Sequence, residues 1–213
     1  MAMKLYDFEL HAECYAARLM LSLLGVPHEV ETVDVYPEAA HLTPAFRAIN
    51  PLGRVPVLED GALRFGTVQG ILAYLAAAYD TSGQWAPDTA VLRGEVAGWM
   101  AIAAELAATA GQARLIETMF AQGDAEAARA GAEGLLRVID QHLWFGEVEG
   151  RDWLCSAPHP TIADIACFPH LVLSEDGGIS RQDYPAIRRW IDRVKRLPGF
   201  TVMSGVFATS SAL

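Results

Sequence analysis

Asn50-Pro51-Leu52-Gly53-Arg54-Val55-Pro56-Val57-Leu58 is the stretch that decides how the rest of the chain is read. Val55, Val57 and Leu58 form a strand-like run, yet Pro56 sits inside it. A proline there removes one ladder donor, which is incompatible with a central strand position. Two arrangements satisfy the chemistry. Pro56 can lie on an edge strand with nothing bound beside it. Alternatively, the strand can begin at a turn with a cis Val55–Pro56 bond, which before proline costs only about 0.5–1 kcal/mol. The second arrangement leaves the N–H and C=O of Val55 free to pair with a peptide-like ligand running antiparallel.

Upstream, Lys4-Leu5-Tyr6-Asp7-Phe8 reads as a short strand. Apolar residues from Cys14 to Leu24 follow a helical period, stopped by Gly25 with Pro27 just beyond. His28 to Val35 (HEVETVDV) predicts a second strand, and Phe46 to Ile49 a short helix. Downstream, the turn Glu59-Asp60-Gly61 folds Val55–Leu58 back onto Ala62-Leu63-Arg64-Phe65 as a hairpin. Val68, Ile71, Leu72, Leu75 and Ala76 then recur at helical spacing up to Tyr79. This order fits a right-handed βαβ unit extended by antiparallel strands into one small mixed sheet.

The pattern changes after Asp80. Thr81-Ser82-Gly83-Gln84 is a polar linker, and helices are predicted over Leu92 to Ala110, Asp124 to Phe145, Thr161 to Leu173 and Pro185 to Leu197, the last closed by Pro198-Gly199. Thr209 to Ala212 form a polar, small-residue end. The fold class expected is α/β followed by all-α, with a small α/β domain over residues 1–80 and a helical domain over 88–213.

Composition narrows the function. The 213 residues are 52% hydrophobic and 20% charged, enough to bury a sizeable core and unlike a disordered chain. Sixteen Lys+Arg against 26 Asp+Glu give a net charge of −10, which argues against a nucleic-acid surface. Cys14, Cys155 and Cys167 are odd in number and lack CxxC spacing, so neither a disulfide framework nor a cysteine-rich zinc site is expected. No apolar run reaches the roughly 18–20 residues of a membrane span, and the start lacks a signal-peptide pattern. A cytoplasmic protein with no metal and no membrane partner is the expectation.

The sequence of elements around Val55-Pro56 resembles the thioredoxin-like domain of cytosolic glutathione transferases. Asn50 to Leu58 resembles the family's most recognisable stretch. His41, nine residues before Asn50, resembles a histidine that contacts glutathione in several classes. Pro160-Thr161-Ile162-Ala163-Asp164 is similar to the family's buried capping box, and Tyr184 to Phe200 to its C-terminal helix. The box has its own physical account, since Thr161 can cap the helix while the Asp164 carboxylate reaches back to the Thr161 N–H. These two residues are assigned to folding.

The resemblance implies a glutathione-binding thioredoxin-like domain, a helical second domain, a small electrophilic co-substrate bound between them, and a two-fold homodimer. It also implies a small donor at the amino end of the first helix, where exposed N–H groups and the dipole favour a thiolate. Aligned from Arg18-Leu19-Met20-Leu21, Cys14 occupies that serine or cysteine position, with Glu13 beside it opposing the dipole. Tyr6 is the runner-up. The free residues alone allow Cys14 to be a small buried apolar group and Tyr6 a core aromatic.

At the third helix, the resemblance places Thr67 where the family has an acid and Val68 where it has a serine. The partner for the ligand's ammonium is therefore missing, and Gln69 is a substitute only if aimed inward. His41, Arg54, Val55, Pro56, Thr67 and Val68 are the implied glutathione contacts, with the basic pair His41 and Arg54 near the glycyl carboxylate. The helix around Trp99 to Ala110 is the expected wall for the electrophile. The implied activity is transfer of the glutathione thiolate to a small electrophile in detoxification, or reduction of mixed disulfides through Cys14. A glutathione-dependent isomerase or dehalogenase, and a non-catalytic binding protein, are the alternatives.

Overall fold

The computed structural model describes residues 3–86 and 88–203. The expected polar end at Thr209 to Ala212 lies outside the described residues. Strand β1 (Lys4–Asp7), helix α1 (Ala12–Leu23) and strand β2 (Glu29–Thr32) form the βαβ unit, with Leu5 opposite Val30 in parallel register. A 3-10 turn at Ala40–Leu42 leads into helix α2 (Pro44–Ile49), capped by the Thr43 hydroxyl. Strands β3 (Val57–Asp60) and β4 (Leu63–Phe65) complete a sheet of order β2-β1-β3-β4, and helix α3 (Val68–Tyr79) returns across it.

Strand β2 is shorter than the HEVETVDV run because its only neighbour, β1, has four residues. The ladder closes where the Val33 amide donates to the Asp7 carbonyl, and Val30 stands exposed on the edge. Helix α1 begins two residues before Cys14, at Ala12, after a turn closed by the His11 amide donating to the Phe8 carbonyl.

The second half is helical throughout. Helix α4 (Ala90–Leu106) passes through a π-type turn at Ala107–Gly111 into helix α5 (Gln112–Met119) without a break. The predicted Leu92–Ala110 helix is therefore part of a longer unit, which ends at Phe120 in the left-handed conformation. Helices α6 (Ala125–Val148), α7 (Ile162–Val172) and α8 (Pro185–Lys195) follow.

Helix α7 is buried from Ile162 to Leu171 and is the axis on which the two halves meet. Leu19, Ile71 and Leu75 from the sheet layer and Leu106, Leu136, Phe168 and Trp190 from the helical layer belong to one continuous apolar core. A smaller cluster on the α2 side of the sheet holds Cys14, Val33, Phe46, Val55 and Val57. The chain is thus a thioredoxin-like sheet layer followed by a helical bundle, as the sequence predicts. Among the described residues, no helix is long and apolar enough to cross a membrane.

Candidate functional site

The Val55–Pro56 peptide bond is cis. The β1–β3 ladder has its last pair at Tyr6 and Val57, so the Val55 backbone runs on beyond the sheet. Neither its N–H nor its C=O enters a hydrogen bond among the described residues, although its side chain is buried in the smaller core. An unpaired strand-edge donor and acceptor are what a short extended peptide needs.

Asn50 fixes this segment. Its buried side-chain amide donates to the carbonyls of Arg54 (2.8 Å) and Gly66 (3.1 Å), and its Oδ1 accepts from the Leu52 amide (3.2 Å). A Cβ at residue 66 would sit 2.8 Å from Asn50 Oδ1, so glycine there permits the close approach. Asn50 thereby ties the Val55 turn to the start of α3. Sequence reading took Asn50 for a turn residue only; the signal for more was its place in a motif that ends beside a glycine-led helix start.

At that helix start Thr67 is the N-cap, its hydroxyl accepting from the Gly70 amide (3.2 Å). The side chain of Val68 is buried, so besides the Thr67 hydroxyl the helix start offers the amides of its first turn. Gln69 lines the groove between α3 and α4 with Ala73, Ala76, Val96 and Met100, so it does not replace the missing acid.

Cys14 departs from expectation. It is the third residue of α1, but its sulfur lies in the smaller core at 0% exposure, accepting from the Phe8 amide (3.4 Å). Burial pushes its pKa well up and the Asp7 charge adds to this, while the Phe8 amide and Arg18 act the other way. The thiol is not presented to a ligand, and the cause is the helix starting upstream of it. Tyr6 is no substitute: its hydroxyl donates to Glu59 (3.1 Å), its ring meets Phe46 edge-on, and burial followed by Glu59 raises its pKa. Cys155 and Cys167 are buried packing residues, Cys167 donating to the Trp99 carbonyl.

The residue at the tip of α1 is His11. It is the N-cap, extended at φ −88° and ψ 129°, with no side-chain capping bond. Sequence reading missed it because histidine is not a usual capping residue and the apolar period starts after it. The basic groups expected on this side are both present. Arg54 is exposed, in no ion pair among the described residues, and its charge partly offsets the burial that raises the Glu13 pKa. His41 lies in the 3-10 turn, where Gly53, at φ +59°, lets the loop pass within 3.3 Å of the His41 carbonyl as measured from a built Cβ. Burial, then Arg47, lowers the His41 pKa.

On the helix expected to face the electrophile, Trp99 points inward. That side chain is buried in the main core against His142, with ring centroids 4.8 Å apart. Aromatic contacts that bridge the two halves are Tyr15 with Phe168, at 6.2 Å between centroids, and Tyr36 with Phe120, both exposed, at 5.9 Å. No cluster of three or more His, Cys, Asp or Glu side chains suited to a metal ion occurs among the described residues.

A thioredoxin-like sheet with an open backbone edge beside the Val55–Pro56 turn, followed by a helical second layer, defines a two-layer class of fold with room for an extended peptide at that edge. Known proteins make this specific. Residues 14–91 match the glutathione S-transferase N-terminal domain model and residues 103–193 the C-terminal domain model; the chain belongs to the glutathione S-transferase family. It is 26% identical to mouse glutathione S-transferase theta-1 over 209 residues, covering 93% of this chain and 85% of that one. It is also 27% identical to maleylacetoacetate isomerase of Pseudomonas aeruginosa over 204 residues, 93% of each chain. A solved structure described as a possible glutathione S-transferase from Rhodopseudomonas palustris superposes with a TM-score of 0.85 at 28% identity, covering 97% of this chain and 100% of that chain.

Proposed function

We propose that this protein pairs the central residue of glutathione with the free Val55 backbone and transfers its sulfur to a small electrophile. The unpaired N–H and C=O of Val55 are the observation that carries this reading. The first-turn amides of α3, capped by Thr67, suit the γ-glutamyl carboxylate, while Arg54 and His41 suit the glycyl carboxylate on the other side. In the reaction the thiol proton leaves to solvent, sulfur bonds to the electrophilic carbon, and the leaving group departs with its bonding electrons.

Two departures shape the activity. No carboxylate at Thr67 or Val68 meets the ligand's ammonium. One charge-assisted bond is worth about 1.5–3 kcal/mol, so affinity falls roughly ten- to a hundredfold below a site that has it. Disulfide reduction through Cys14 is disfavoured, since the sulfur is buried and its pKa raised. The division at 1–80 and 88–213, a cytoplasmic location and a two-fold dimer complete the reading. The apolar α3–α4 groove, about 330 Å³, supports a surface for that pairing.

Calorimetric titration with glutathione, followed by conjugation assays on a panel of electrophiles, tests the reading. Binding in the millimolar range or tighter, with conjugation of at least one class, is expected. Absence of both heat and conjugation at several millimolar overturns it.

A further inference from the structure

Among the described residues, three buried side-chain polar atoms lack a hydrogen-bond partner, and all three are imidazole Nδ1 atoms, of His11, His41 and His170. Native structures leave few such atoms, and each asks for a ligand or a role. His41 stands on the side already assigned to the glycyl carboxylate. The other two come from opposite sides of the junction between the halves, His11 from the tip of α1 and His170 from the buried helix α7. Among the described residues, no hydrogen bond engages either nitrogen of these two rings. Each ring lies within electrostatic range of Arg114 on α5, and His170 within range of His11.

Arg114 is almost fully buried, as is His170. Its Nε donates to Asp176 (3.0 Å) and its Nη1 to the carbonyl of Leu10 (2.7 Å), the residue before His11. Its Nη2 donates to nothing among the described residues, so part of the guanidinium fork stays free. The nearby carboxylates are engaged, Asp176 by Arg114 and Asp7 by Arg18. Gly111, three residues before Arg114 in the π-type turn, leaves a slot beside the His170 ring. A Cβ there would lie 3.1 Å from His170 Nδ1, which is where a hydrogen-bonded oxygen would sit. The loop that ends at His11 also borders the peptide edge. Counting on from the Tyr6–Val57 pair, Phe8 lies opposite Val55, and the His11 amide donates to the Phe8 carbonyl (3.0 Å).

We propose that Arg114, His170 and His11 form a site for one carboxylate group, and that the small electrophile of this protein is an acid anchored there with its reactive carbon toward the Val55 edge. This substrate class rests on the glutathione reading above. With the site empty, both rings are neutral. Burial, then Arg114, His41 and Arg18, push the His11 pKa down to about 4, and burial, then His11 and Arg114, push that of His170 down to about 3. Of these neighbours, Arg18 is itself paired with Asp7 and Arg114 with Asp176. A neutral ring has one N–H and one lone pair, and a lone pair has nothing to offer a carboxylate. An arriving anion offsets the Arg114 charge and favours the protonated ring, in which Nδ1 becomes a donor. The enclosed nitrogens thereby gain the partner that they lack. Because the bound state holds more protons than the free one, affinity for the acid rises as pH falls from about 7.5 toward 5.5.

The test titrates butyrate, with butyramide as its uncharged counterpart, into the free and the glutathione-saturated protein by calorimetry near pH 6, in buffers of different ionisation enthalpy. Butyrate is expected to bind about tenfold or more tighter than butyramide, with net proton uptake. Gly111→Ala fills the slot without removing a charge, and Arg114→Met removes the charge. Each should bring butyrate down to the level of butyramide, and His170→Gln should remove most of the proton uptake. Chloroacetate and chloroacetamide then serve as electrophiles, the glutathione sulfur displacing chloride, which leaves with its bonding electrons. Relative to their uncatalysed rates, kcat/KM should favour the acid about tenfold or more in wild type and not in Gly111→Ala. Equal binding of butyrate and butyramide, no proton uptake, or unchanged butyrate affinity in Gly111→Ala overturns the site. Butyrate binding without a preference for chloroacetate overturns the substrate class. Failure of wild type to bind glutathione overturns the functional reading and the substrate class with it, while the titration of the free protein judges the carboxylate site by itself.

Discussion

Two helix starts in this molecule have opposite designs. At the start of α7, the polar side chains are paired. The buried Asp164 carboxylate accepts from the Thr161 amide (2.9 Å), the Leu154 amide (3.1 Å) and the Trp190 indole (2.9 Å), while the Thr161 hydroxyl accepts from the Ala163 amide. At the start of α1, the N-cap His11 makes no capping bond, its Nδ1 has no partner, and the strand edge beside it ends in the unpaired Val55. One start is closed and stabilises the junction of the two halves. The other leaves its polar groups open, at a cost in stability, which is what a binding site requires.

The contrast can be broken most forcefully at the closed start. Asp164→Ala strands several buried donors and should cost about 3 kcal/mol or more. For a chain of this size that lowers Tm by roughly 6–12 °C in a thermal melt. A melt within a degree or two of wild type would mean that α7 does not hold the halves together.

Acid should act through the open start instead. His11 and His170 have pKa values pushed down to about 4 and about 3 by burial, against 6.5 in the unfolded chain. Between those values the unfolded state binds more protons, so stability is full above about pH 6.5 and is lost as pH falls toward 4. Tm measured across that window should drop steadily, and His170→Gln should flatten the slope.

The binding side is sharpened by restoring what the α3 start lacks. Thr67→Asp keeps a good N-cap and adds a carboxylate, so glutathione should bind about tenfold to a hundredfold tighter by calorimetry. The smallest effect belongs to Cys14→Ala. Loss of one buried sulfur should cost about 1 kcal/mol of stability and leave conjugation within about twofold. A collapse of conjugation in that variant would return Cys14 to the reaction.

Much of this was legible in the residues. Pro56 inside an apolar run announced a turn at a sheet edge, and the Thr161–Asp164 spacing announced a capping box; both are local patterns whose physics does not depend on distant partners. Boundaries set by neighbours were harder. The HEVETVDV run exceeds its strand because β1 has only four residues to pair with it. Cys14 looked like the helix tip because apolar period, not backbone geometry, marked the helix in sequence; two residues of difference turned an exposed nucleophile into core. The nearness of His41 and His170 to His11 was invisible, since they are scattered along the chain and come within electrostatic range of it only in the folded molecule.

Amide hydrogen exchange at Val55, followed with and without saturating glutathione, tests the central claim most directly. The account predicts that this amide, unbonded in the free protein, becomes strongly protected when the tripeptide binds, with the neighbouring Val57 amide little changed. Saturated glutathione with unaltered exchange at Val55 would contradict it.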